Sequence, residues 1–553
     1  MIRQALYRLP AGLQLHLKAA KRWALGTYDW AGPVRRLRLR EHAHMEEIAQ
    51  QQRAQDGRKR IAIYSLHHFS PVEYGLAKAL QLRGHDVRGI LCDGLLPLCE
   101  LNLGPKTRPP CSVCIGAFSR HEDAFGFSYD RLSQYITPED RERAEALVAE
   151  TSDDALPDLR VDDVPVGVFA RRELQRYYRG FIFDPAHDPA YRRWLVSGVL
   201  YTWTSRRWLD SVQPDIVGVC SGRTLNTACV YDVARRRGIR VVTWDGAATH
   251  RDTLMFSHDR PATEIPLDDL WESERHRPLS AEEDQRLSTH LDLWSRSRNT
   301  PFPYNRNPID AQDAIVDDLG LRPGAPLVAA FTNTSWDIAV IDRDVGFASM
   351  FDWLFALVRY AQQHPQIDLV VRAHPAEKMV PPDLQSRSPV GPEVRARFEP
   401  LPPNVRFIEG DNPISSYTLA QMASVNVVYS TRFGHELALR GIRPWIAGAV
   451  TYRGKGFTLD LAGVDHMYDL LNASAFDTRT SADEIELARR FAYLWFFRYE
   501  TRLPLLLPAD RRFALTSFQQ LAPGGDPTVN RLCEAFVSGS PFVDIGSPDS
   551  ATT

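Results

Sequence analysis

Arg372, His374 and Glu377 follow the apolar run Leu369-Val370-Val371 in the order Arg-Ala-His-Pro-Ala-Glu. A short apolar run that stops at such groups reads as a buried strand of a parallel sheet. It would deliver a guanidinium, an imidazole and a carboxylate to the strand's carboxyl end, the edge where open α/β sheets bind ligands. A second stretch has the same design. Val425-Asn426-Val427-Val428-Tyr429 opens onto Ser430, Thr431, Arg432, Phe433, Gly434, His435 and Glu436. Two hydroxyls and a glycine before a helix start suit a phosphate. Two such strand ends in one domain point to a nucleotide-phosphate site.

Each of these residues also has a structural role open to it. Arg372 either meets phosphate or is buried as a partner of Glu377. Ser430 and Thr431 bond phosphate oxygens or cap the next helix. Glu436 holds a pair of ribose hydroxyls or is a first-turn acid favoured by the helix dipole. Lys455, between Gly454 and Gly456, reaches phosphate on a pliant loop or is an ordinary exposed lysine. Glu377 and Gly434 complete the expected cofactor-binding set. His374 would donate to the phosphate or protonate it as it leaves, imidazole being the side chain that switches near neutral pH.

Cys92, Cys99, Cys111 and Cys114 crowd into one stretch, separated by six, eleven and two residues. The closing Cys-x-x-Cys has the spacing of a ligand pair. A structural zinc is the expectation, with an iron–sulfur cluster as the alternative. Reduced core and loop thiols are the plain reading of the same pattern.

The elements that must position these groups recur in a strand–loop–helix–strand rhythm. Ile61–Ser65 reads as a strand, Val72–Arg83 as a helix and Val87–Cys92 as a strand. Asp215–Val219, Asn226–Arg237 and Arg240–Trp244 repeat the pattern. A second α/β unit begins at strand Leu327–Thr332 and runs through helix Phe347–Gln362. Strands at Leu369–Val371, Val405–Ile408, Val425–Tyr429 and Trp445–Ala447 follow. The polar, proline-bearing stretch 299–308 is the expected boundary. The domains expected are a basic helical extension (1–58), an α/β domain with the cysteine-rich insertion (59–305) and a second α/β domain (306–475). C-terminal helices (476–538) and a disordered tail (539–553) would end the chain.

A chain of 553 residues with 44% hydrophobic and 24% charged residues is ordinary for a globular protein. A net charge of -3 gives no general attraction to nucleic acid. No apolar run is long enough to span a bilayer and no signal-peptide core is evident, so a cytoplasmic location is expected. Before residue 61, bases such as Arg35, Arg36, Arg38 and Arg40 outnumber acids and sit among Leu and Trp residues. That composition fits either peripheral contact with an anionic inner-membrane face or a solvated arm.

The second half resembles bacterial capsule polysaccharide biosynthesis proteins. The resemblance lies in Arg372-Ala373-His374-Pro375-Ala376-Glu377, in Ser430 to Gly441 and in Tyr452-Arg453-Gly454-Lys455-Gly456-Phe457. That group is similar to sialyltransferases and Kdo transferases that use CMP-sugars. The resemblance implies a GT-B-like α/β fold, two Rossmann-like domains facing a cleft, with 59–305 as the acceptor domain and 306–475 as the nucleotide-sugar-binding domain. It also implies an inverting glycosyltransferase that moves a sugar, from CMP-Kdo or CMP-sialic acid by preference, to a surface polysaccharide or glycolipid. Similar sialyltransferases carry a doubled acid before Gly; here Trp244-Asp245-Gly246 keeps one acid. Asp245 is the expected base, or a cap on the turn at Gly246. His67, His68 and Ser70, with Arg223 after a later strand, would meet acceptor or sugar. A CDP-glycerol-type glycerophosphotransferase, a non-catalytic assembly or export factor, and a metal-dependent redox protein are the alternatives.

Overall fold

Ile61, Ala62, Ile63 and Tyr64 are all shut away from solvent, which a strand achieves only when both its faces are covered. The computed structural model describes residues 31–54, 57–64, 72–101, 104, 111–247, 252–295, 308–338, 340–380, 385–473, 479–506 and 514–545. A helix α1 (Ala31–Arg53) precedes strand β1 (Arg60–Tyr64). Then come α2 (Val72–Leu82), β2 (Asp86–Leu91), α3 (Cys111–Phe125) and β3 (Asp130–Arg131). Strand β4 (Ile216–Cys220), helix α4 (Leu225–Arg236) and strands β5 (Arg240–Gly246) and β6 (Thr253–His258) follow. With a short strand at Thr501–Arg502 they form a seven-stranded sheet in the order Thr501–Arg502, β6, β5, β4, β1, β2, β3. Pairings from β5 to β3 are parallel, while β6 and Thr501–Arg502 run antiparallel. The chain winds outward from β1 in both directions, so β1 and β4 flank a reversal of strand order.

The second sheet follows helices α5 (Asp268–Glu274) and Ala281–Ser295. Its strands are β7 (Leu327–Phe331), β8 (Asp368–Arg372), β9 (Val405–Ile408), β10 (Val425–Val428), β11 (Pro444–Ile446) and β12 (Leu459–Asp460). A short helix α6 (Phe433–Ala438) follows β10, and α7 (Ala482–Tyr493) comes later. All pairings are parallel, in the order β12, β11, β10, β7, β8, β9. Chain order moves from β7 out to β9, then returns to β10, so the reversal lies between β7 and β10. Helix Met350–Gln363 supplies the main cover, with Phe351, Trp353, Leu354 and Leu357 buried against the strands.

Two doubly wound α/β units therefore make up the described chain. One comprises residues 1–177, 182–266 and 496–553, the other 178–181 and 267–495. The division falls at Pro266/Leu267, ahead of the proline-bearing stretch, because α5 and Ala281–Ser295 belong with the second sheet. Arg490 donates to the Arg275 carbonyl at 2.8 Å and Arg489 pairs with Asp284. The C-terminal segment is likewise not one block: α7 belongs to the second unit, and helix Pro527–Ser538 to the first. Residues 539–545, the described part of the tail expected to be disordered, are ordered. Phe542 and Ile545 are buried in the first core, and Asp544 pairs with Arg498 at 2.8 Å. Two apolar anchors in a Gly-Ser-Pro-rich segment are enough to dock it.

Candidate functional site

Three strand ends meet at the reversal of the second sheet. Strand β7 leads into Thr332, Asn333, Thr334 and Ser335, all nine-tenths buried or more. Strand β8 leads into Ala373 and His374, and β10 into Ser430 and Thr431. Hydrogen bonds lock the three together. The Ser430 amide donates to Asn333 Oδ1 at 3.1 Å, and the His374 amide donates to Thr332 Oγ1 at 3.2 Å. Ser430 Oγ and Ser335 Oγ are buried with no partner among the described residues. Orphaned buried hydroxyls are uncommon enough to need a reason.

The His374 imidazole has a determined tautomer. Its Nδ1 accepts from the Ala376 amide at 3.1 Å, so the neutral ring carries its hydrogen on Nε2. Desolvation, with the Arg372 cation second, lowers its pKa to about 4. At neutral pH the ring is thus an uncharged Nε2–H donor. It is suited to hydrogen-bond a phosphate oxygen and a poor source of a proton.

The neighbours nominated from sequence have these protein partners. Arg372 is 1% exposed and donates to the Glu409 carbonyl, to the Asn412 carbonyl at 3.1 Å and to Ser416 Oγ at 3.3 Å. It fastens the loop after β9 and is not paired with Glu377. Glu377 is fully buried, accepts from the Val390 amide at 3.1 Å, and has its pKa raised to about 8 by burial. Lys455 is buried and paired with Asp268 of α5 at 2.5 Å. Glu436 accepts from the Tyr417 hydroxyl and lies 3.4 Å from Arg432 Nε. Thr431 Oγ1 accepts from the Phe433 amide at 3.3 Å, the capping role. Gly434 permits close packing: a Cβ there would collide with the Tyr452 hydroxyl.

No family model and no curated protein sequence matches the chain. Solved structures give distant likenesses. A beta Kdo 2,4 transferase, KpsC of Thermosulfurimonas dismutans, is 14% identical, covering 54% of this chain and 83% of its own, with a TM-score of 0.35. The beta Kdo 2,7 transferase of the same organism is 13% identical over 55% and 83%, with a TM-score of 0.32. UDP-GlcNAc 2-epimerase of Neisseria meningitidis is 10% identical over 78% and 97%, with a TM-score of 0.23. The fold assignment rests on the strand orders above.

On the first sheet, Asp245 ends β5, and its Oδ1 accepts from the Gly246 amide at 2.7 Å. That is the turn-capping geometry. Arg223 is 5% exposed and lies 3.8 Å from Glu264. His67, His68 and Ser70 lie outside the described residues. The four clustered cysteines are free thiols, and among the described residues no group of His, Cys, Asp or Glu is arranged to hold a metal ion. Burial raises the thiol pKa of Cys92 and Cys114 to about 12 and that of Cys99 and Cys111 above its usual range. The expected zinc or iron–sulfur ligand set thus finds no support among the described residues. The loop is held otherwise: the Leu98 amide and carbonyl both bond Ser197 Oγ, at 3.2 and 2.9 Å. No described helix is long and apolar enough to cross a membrane.

Thr332, Asn333, Thr334 and Ser335 escape notice in the sequence because a polar run after a strand also describes any connecting loop. The available signal was the polar run directly after an all-apolar strand, the same signal that marks His374 and Ser430.

Proposed function

We propose that the chain is a glycosyltransferase that moves a sugar from a nucleotide donor to a surface polysaccharide or glycolipid. The donor is a CMP-linked sugar and the anomeric carbon is inverted. The observation that carries this reading is the pair of orphaned buried hydroxyls of Ser430 and Ser335 beside the uncharged His374 ring at the reversal of the second sheet. Arg372 and Lys455 already have partners. Uncharged donors suit the single phosphate of a CMP-sugar better than a diphosphate, which calls for charge-assisted bonds. The order of motifs shared with capsule polysaccharide biosynthesis proteins supports the same reading.

In this account the donor phosphate takes hydrogen bonds from His374 and Ser430 as negative charge builds on the leaving nucleotide. Preorganised donors of that kind stabilise the transition state. The acceptor hydroxyl gives its proton to a general base as its oxygen attacks the anomeric carbon.

The test is nucleotide release from CMP-Kdo, CMP-sialic acid and CDP-glycerol, with product masses. Release of CMP with a product heavier by one acid sugar is the expected result. CMP release from CDP-glycerol alone would move the chain to glycerophosphate transfer. No release from any donor would leave the assembly-factor alternative standing.

A further inference from the structure

Trp336 differs from the other tryptophans. Trp194, Trp208, Trp244, Trp271, Trp353 and Trp445 are shut away from solvent. Trp203 is half-buried, with the Arg143 guanidinium 5.1 Å over its ring. Trp336 is also half-buried, but no aromatic ring or cation among the described residues packs on it.

Its place on the chain is equally unusual. The Asp337 amide donates to the Thr334 carbonyl at 3.4 Å, which puts Ser335 and Trp336 at the two central positions of a tight turn. Such positions usually take Gly, Pro, Asn, Asp or Ser, which suit the bend. An indole there leaves part of a large apolar body in contact with water.

The ring is nevertheless held. Its Nε1–H donates to Ser386 Oγ at 2.9 Å. The Ser386 amide donates to the Glu377 carbonyl at 2.9 Å, and the Glu377 amide to the His374 carbonyl at 3.0 Å. Three hydrogen bonds thus tie the indole, on the loop after β7, to the turn that carries His374 after β8. All these residues belong to the second unit, and both loops leave the carboxyl edge where its sheet reverses. A ring fixed in this way loses little conformational freedom when a ligand settles on it. A planar base stacked there would cover apolar surface that the fold leaves wet.

Resting on the transferase reading, we infer that Trp336 is the stacking platform for the donor's nucleobase, with Ser386 as the residue that positions it. Stacking tolerates any base, so the platform supplies affinity for a flat ring and leaves the choice among bases to other groups.

The experiment titrates the full chain with CMP by calorimetry and by intrinsic fluorescence, as wild type, Trp336→Ala and Trp336→Phe. A half-buried turn residue should be replaceable with little change in melting temperature. Trp336→Ala is expected to weaken CMP binding about 5–150-fold, the scale of one base on one aromatic ring. Trp336→Phe keeps a ring and loses the Ser386 bond, so it should bind within about tenfold of wild type. An indole stacked on a base loses emission. Saturating CMP should therefore dim the wild type and dim Trp336→Phe much less. A Trp336→Ala chain that binds CMP as tightly as wild type overturns the inference. So does a Trp336→Phe chain that binds no better than Trp336→Ala, or that dims as much as wild type; this last readout decides if Trp336→Ala does not fold. A wild type that binds no CMP overturns the donor reading itself, and the inference with it.

Discussion

His374 shows how far one side chain's chemistry follows from its surroundings. One hydrogen bond from the Ala376 amide fixes its tautomer, and burial fixes its charge. The titration of this group links to stability with a definite sign. His374 and His435 both have pKa values lowered from 6.5 to about 4 by burial. Their contribution is therefore present above about pH 6.5 and lost as pH falls toward 4. Glu377 runs the other way. Its pKa is raised from 4.5 to about 8 by burial, so its contribution is present below about pH 4.5 and lost as pH rises through 8. Melting temperature should accordingly decline on both sides of a maximum. Glu377→Gln is expected to flatten the alkaline decline and leave the acidic one. An unchanged alkaline limb would show that Glu377 ionises freely in the folded state.

At the scale of elements, the turn after β10 is set by packing. The Tyr452 hydroxyl donates to the Thr431 carbonyl and occupies the space a Cβ on Gly434 would need. Gly434→Ala should therefore push Tyr452 away, loosen the Ser430–Thr431 turn and destabilise the chain by about 1–3 kcal/mol, the usual scale for overpacking. Tyr452→Phe removes the clashing atom, so the second substitution should cost less in the Gly434→Ala background than alone. Simple additivity in thermal melts would contradict this coupling. The strands that carry the site were legible because their signal is local. An apolar run that stops abruptly at Arg, His or Ser marks a strand end by itself, and Leu369–Val371 and Val425–Tyr429 lie within one residue of β8 and β10 at either end. The partners of the side chains were not legible. Arg372 reads as a phosphate ligand until the carbonyls of Glu409 and Asn412 appear beside it, and Lys455 reads as free until Asp268, far away in sequence, meets it.

Across the whole molecule, the same device is built twice. Each sheet reverses its strand order once, between β1 and β4 in the first unit and between β7 and β10 in the second, and each reversal gathers buried polar groups. The first gathers carboxyls and the second neutral donors. The boundaries of the units were harder to read than their number. A proline-bearing segment marks a change of direction, but a unit ends where packing ends, and Phe542 and Ile545 carry the chain back to the first core long after the second sheet is complete. The proposed function requires the reversal of the second sheet to bind a nucleotide beside His374. Thermal stabilisation by CMP, CDP, UDP, GDP and ADP in parallel is the sharpest check, because a ligand that binds only the folded state raises apparent stability. The expected result is a selective rise with CMP that disappears in His374→Ala. A rise that survives His374→Ala, or none with any nucleotide, would contradict the claim.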